Sequence, residues 1–102
     1  MNRIVQGSTL PIQQIKVVGY DGDLQDSVVS GTIRPDQEPD PRVIKGSLTM
    51  HSGNIVHWVP DDDDLKDVGI NHIQLTFFKG GKYLHTMITK LEILPLQVVP
   101  DA

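Results

Sequence analysis

The chain of 102 residues contains no cysteine, one tryptophan and only 5% aromatic residues. The lack of cysteine excludes a disulfide framework, zinc–thiolate centres and thiol nucleophiles together. No stretch approaches the ~18 consecutive apolar residues of a membrane-spanning helix. The first residues, Met1 to Ser8, carry one basic side chain and no apolar segment of the kind a secretory signal needs. Positive charge is also sparse. Nine Lys and Arg against thirteen Asp and Glu leave a formal charge of -4, and the cations are scattered singly, so nucleic-acid binding is disfavoured. The expectation is one small domain over residues 1–102, with no nucleic-acid or membrane partner, an N-terminal arm over 1–8 and a C-terminal tail over 95–102.

Helical periodicity is missing as well. No window of about a dozen residues carries apolar side chains at i, i+3, i+4 and i+7 without Gly or Pro interrupting it. What is present is strand signal recurring about every ten residues. The segments are Pro11 to Val18, Val28 to Ile33, Val43 to His51, Asn54 to Val59, Ile70 to Phe78, Lys82 to Thr89 and Leu91 to Leu94. That spacing predicts an all-β antiparallel sandwich of about seven strands. Between the second and third segments, Arg34 to Arg42 places three prolines and five charges in nine residues, which predicts a surface loop.

Two short connections set expected registers. A two-residue turn at Ser52-Gly53 pairs His51 with Asn54 and Leu48 with His57. A turn at Gly80-Gly81 pairs Phe78 with Tyr83, Phe77 with Leu84, Leu75 with Thr86 and Ile73 with Ile88. Under the second register Ile73, Leu75, Phe77, Leu84, Thr86 and Ile88 face the core. Phe78, Tyr83 and Met87 then stand on a mostly polar outer face with His72, Gln74 and His85, as a candidate protein-contact surface. Leu96, Val98 and Val99 of the apolar tail complete the candidate interface.

Chemistry finds little to work with. The same registers put His72 and His85 four residues apart along one face, about 13 Å, and place His51 and His57 on opposite faces, so no zinc site is expected. Asp61-Asp62-Asp63-Asp64 invites calcium, but the EF-hand spacing is absent, and carboxylates capping a short turn after Pro60 account for at least one of them. No serine sits in a G-x-S-x-G or S-x-x-K setting, and no phosphate-binding glycine loop is present. The expectation is a non-enzyme without cofactor or metal. Trp58, the single tryptophan, is expected to anchor the core between the sheets; exposed instead, it would be a stacking platform for carbohydrate.

The order of these signals resembles the N-terminal immunoglobulin-like domain of phage baseplate upper proteins, a family that also includes small free-standing phage structural proteins. The resemblance rests on Gly7, Leu10-Pro11-Ile12, Asp21-Gly22, Gly53 to Pro60 with its Trp58, Asp64-Leu65, Gly69, Ile73 to Phe77, Gly80-Gly81 and Leu91 to Leu94. It implies an immunoglobulin-like sandwich and a virion structural protein made in the host cytoplasm, working in the tail or baseplate through contacts with other virion proteins and with copies of itself. A head decoration or head-to-tail connector protein of the same fold, or a carbohydrate-binding module, are the alternatives.

Overall fold

A computed structural model describes residues 2–6 and 13–95. The described chain is all-β, with two sheets packed face to face and no α-helix among the described residues. The strands are β1 (Asn2–Val5), β2 (Gln13–Lys16), β3 (Val28–Pro35), β4 (Arg42–Val43), β5 (Ser47–His51), β6 (Ile55–Val59), β7 (Gly69–Lys79) and β8 (Lys82–Leu94). The larger sheet has the order β1-β8-β7-β3-β4, the smaller β2-β6-β5. All described pairs are antiparallel except β1, which runs parallel to β8. The N-terminal segment expected as an arm therefore includes an edge strand, and its Ile4 enters the core at 5% exposure.

Alternation explains which faces meet. Val56 and Trp58 of β6 point inward with Ile15 of β2, against Ile33 of β3, Ile73, Leu75 and Phe77 of β7, and Leu91 and Ile93 of β8. Trp58 is 1% exposed, the central anchor between the sheets that its uniqueness suggested.

Both hairpin registers need correction. The Gly80-Gly81 turn forms, both glycines take positive φ, and Phe78 pairs with Tyr83 as expected. A bulge then intervenes: Phe77 pairs with His85 rather than Leu84, and the ladder continues Leu75–Met87, Thr76–Thr86 and Gln74–Ile88. One extra residue reverses the facing of everything beyond it. Met87 turns into the core at 7% exposure, so it leaves the candidate interface, while Ile88, expected inside, is 65% exposed. Thr86 likewise joins Thr76 on the outer face, with their hydroxyls 3.4 Å apart. Leu84 stays partly buried against the core.

The second correction lies at the β5–β6 turn. The loop is the three residues Ser52 to Asn54, pairing His51 with Ile55 and Leu48 with Trp58. Asn54 is drawn off the ladder because its Oδ1 accepts the Leu24 amide at 2.9 Å and its Nδ2 donates to the Gly22 carbonyl at 2.7 Å, with φ at 54°. An amide side chain that closes two backbone groups of a distant turn is worth more than one further ladder pair.

The chain crosses between sheets at Ile44 to Gly46 and again at Pro60 to Val68, and one carboxylate joins the two crossings. Asp64, 1% exposed, accepts the Lys45 amide at 2.8 Å on Oδ1, and the Gly46 and Asp61 amides at 2.9 and 3.0 Å on Oδ2. Asp61 in turn accepts the Asp63 amide, so a reciprocal cap opens the 3₁₀ turn Asp62–Leu65. Capping is thus the observed role of Asp61 and Asp64. Arg42 of β4 adds donors to the Asp63 and Asp64 carbonyls at 3.1 Å and to the Asp67 carboxylate at 2.9 Å. Gly46 is required because a Cβ there would overlap the Val59 carbonyl.

Asp64→Asn puts an NH₂ against at least one of these amides whichever way it is flipped, since both oxygens accept. We expect it to lower stability by about 3 kcal/mol, because buried donors facing a lost acceptor pay their full desolvation. Asp62→Asn on the exposed side of the same turn should cost less than about 0.5 kcal/mol. Chemical denaturation of the two variants measures both; equal effects would contradict the assignment of Asp64.

Candidate interaction surface

The two sheets present unlike faces to solvent. On the larger sheet the β3–β7–β8 ladders place outward side chains in rows. Val28, Phe78 and Tyr83 lie side by side at one end, followed by Ser30, Thr76 and Thr86, then Thr32, Gln74 and Ile88 with Val43 of β4 beside Thr32. Arg34, His72 and Lys90 make the next row. Val28, Val43, Tyr83 and Ile88 are each 61–70% exposed and Phe78 is 37% exposed. Among the described residues, five of the eight exposed large apolar side chains therefore share one sheet face. Outer positions of the smaller sheet are more polar: Ile55 and Val59 of β6 share them with Gln14 and Lys16 of β2, His57 of β6 and Ser47, Thr49 and His51 of β5, and neither Ile55 nor Val59 is fully exposed.

Of the interface residues expected from sequence, Phe78 and Tyr83 are placed together, their rings edge to face at 6.1 Å. Met87 is on the other side of the strand. Leu96, Val98 and Val99 lie outside the described residues. Sequence reasoning missed Ile88, which only the bulge exposes, and Val28 and Val43, whose strands carry no alternation strong enough to assign a face.

The proline-rich segment shapes this surface. Pro39 and Pro41 form a lip beside Thr32, Arg34, His72, Gln74 and Ile88, enclosing an open trough of about 340 Å³. A second depression of about 140 Å³ lies next to it over Ser30, Thr32, Val43, Gln74 and Thr76. The lip is held by Arg34, whose Nη1 donates to the Glu38 carbonyl at 2.8 Å, and by Asp36, whose carboxylate meets His72 Nε2 at 2.7 Å. The His72 hydrogen bond, aided by the charges of His72, Arg34 and Lys90 and opposed by desolvation, lowers the Asp36 pKa below its ordinary 3.8. At the β6–β7 crossing, the Lys45 ammonium hydrogen-bonded to Asp63 likewise lowers that carboxyl.

The histidines do not fall where the expected registers put them. His85 faces inward, opposite to His72, beside Phe77 and Tyr20, with its Nε2 2.9 Å from the Val18 carbonyl. His51 and His57 share a face and stack with ring centroids 3.6 Å apart. Among the described residues no three His, Asp or Glu side chains gather closely enough to enclose a metal ion. The arrangement offers contact chemistry: apolar side chains spaced by hydroxyls and amides, with Arg34 and Lys90 flanking His72 at one end.

Comparison with protein-family models, with curated proteins and with solved structures finds no match to this chain.

A depressed carboxyl contributes stability above its unfolded pKa and loses it as pH falls through the lower folded value. The Asp36 clamp on the lip should therefore hold throughout the neutral range and release only in acid below 3.8. A carboxyl-detected NMR titration should place Asp36 below that value, and His72→Ala should return it upward. An unchanged midpoint in the variant would remove His72 as the cause.

Proposed function

We propose that the chain is a non-catalytic assembly module of a phage virion, a tail or baseplate component made in the host cytoplasm and built into the particle by contacts with other virion proteins and with copies of itself. The observation that carries this reading is the gathering of Val28, Val43, Phe78, Tyr83 and Ile88 on one outer sheet face. Exposed apolar side chains scattered singly are ordinary, whereas this many on one face, separated by hydrogen-bonding side chains, have the composition of a protein contact. Immunoglobulin-like architecture belongs to the same proposal, supported by the two-sheet all-β packing and the central tryptophan.

The sequence resemblance supplies the phage context, and the placement of its residues is compatible with structural roles. Trp58 packs the core, Asp64 ties the crossings, Gly69 takes a φ of 108° at the start of β7, and Gly80-Gly81 make the turn. Burial of Trp58 also removes the stacking platform on which a carbohydrate-binding module would have relied.

Mass spectrometry of particles purified from cells that encode the chain should find it in several copies per particle. Paired Phe78→Asp and Tyr83→Asp substitutions should leave the fold intact, as both side chains are outward, and deplete the chain from particles at least about tenfold. A chain present only in the soluble lysate would overturn the proposal.

A further inference from the structure

The outer face of the larger sheet is suited to one occupant in particular. We infer that it packs against the same face of a second copy, about a two-fold axis that lies in the interface, perpendicular to the strands, and passes by Gln74. This deepens the assembly reading by naming the neighbour at that face, and it rests on that reading only for its biological setting.

Size is the first argument. The outward length of β7 from Ile70 to Phe78 is about 27 Å, and β3, β7 and β8 with the two residues of β4 at their edge cover about 15 Å across it, so the face offers about 400 Å². Two such faces bury about 800 Å² in total, the size of a weak, transient contact. A concentration-dependent dimer follows rather than a permanent one.

Charge then selects the axis. A two-fold axis parallel to the strands would lay each row on itself, bringing Lys90 over the partner's Arg34, cation on cation. An axis perpendicular to the strands keeps strand order and reverses the rows. Arg34, His72 and Lys90 then meet the hydroxyls of the partner's Ser30, Thr76 and Thr86, which accept hydrogen bonds. Ile70 meets the partner's Phe78, and Ile88 and Val43 each meet their own copies, while Tyr83 comes over the partner's Glu92, a carboxylate that can accept from its hydroxyl.

Shape agrees with the same axis. The lip of Pro39 and Pro41 stands beside the cationic row, and reversal carries it over the partner's depression at Ser30, Thr32 and Thr76. A ridge and a hollow related by one rotation are what a self-complementary two-fold contact requires.

Light scattering over a micromolar to millimolar concentration series tests the dimer, and cysteine pairs test the axis. The expected mass rises from monomer to dimer, and Ile88→Asp raises the dissociation constant at least about tenfold with unchanged circular dichroism. With a short bismaleimide added, a chain carrying Lys90→Cys mixed with a chain carrying Thr86→Cys should cross-link at least about tenfold faster than either alone, because the perpendicular axis brings these positions opposite each other across facing sheets about 10 Å apart, a span beyond a direct disulfide. A strict monomer to millimolar concentration, or equal rates for mixture and single variants, overturns the inference. If the monomer is nevertheless incorporated into particles, the face binds a different protein and the assembly reading stands without the dimer. A dimer with the expected cross-link that is missing from particles leaves the inference standing and removes the virion reading.

Discussion

A buried carboxylate holds the two sheets of this protein in register with each other. Asp64 accepts three backbone amides, two from the β4–β5 crossing and one from the turn that follows β6. Those crossings carry the chain between sheets, and each contains backbone donors that no strand pairs. Burying them without an acceptor would cost more than a small domain can spare, since total stability is typically about 5–15 kcal/mol. Arg42 completes the joint by donating to the Asp63 and Asp64 carbonyls, so one acid meets donors on both crossings and one base meets acceptors on the second. Gly46 follows as a necessity, because only its hydrogen fits against the Val59 carbonyl.

With the joint made internally, the inner faces do the rest. Trp58, Phe77 and Leu75, each at most 1% exposed, fill the space between sheets together with aliphatic side chains from seven other segments or strands of the same core. The outer face of the larger sheet then has no part in closing the fold. Apart from the Phe78–Tyr83 pair, its exposed apolar side chains gain little from folding that threonine or lysine would not give, a composition that fits the proposed contact role. The proline-rich lip fits the same view: its ends pair in β3 and β4, and the unpaired stretch between them is pinned by His72 to Asp36 and by Arg34 to the Glu38 carbonyl, at the border of that face.

The sandwich and its tryptophan anchor were legible in the sequence because turn residues punctuate β-rich segments at regular spacing and because one Trp precedes one Pro. The cap at Asp61 was legible for a similar reason, a carboxylate just before a short turn. Facing was harder. Gly80-Gly81 identifies its turn correctly, but nothing in Tyr83-Leu84-His85 announces that Leu84 is the extra residue, and that one slip exchanges Met87 with Ile88. Asn54 hides its role equally well, since its partners at Gly22 and Leu24 are thirty or more positions away. The parallel strand β1 depends on pairing with Leu91 to Leu94 at the far end of the chain, a relation that local pattern does not express. Two of the five apolar residues of the candidate surface, Phe78 and Tyr83, were consequently visible, and Val28, Val43 and Ile88 required the tertiary ladder.

The central claim is that this outer face serves contact and not folding. The direct measurement is thermal unfolding, at submicromolar concentration, of a chain in which Val28, Val43, Phe78, Tyr83 and Ile88 are all replaced by threonine, which keeps strand propensity while removing the apolar surface. The account predicts a midpoint within about 5 °C of the parent, the loss of one cross-strand aromatic pair being worth at most about 1 kcal/mol. A variant that is unfolded at room temperature would contradict it, by showing that these side chains belong to the structure and not to a partner.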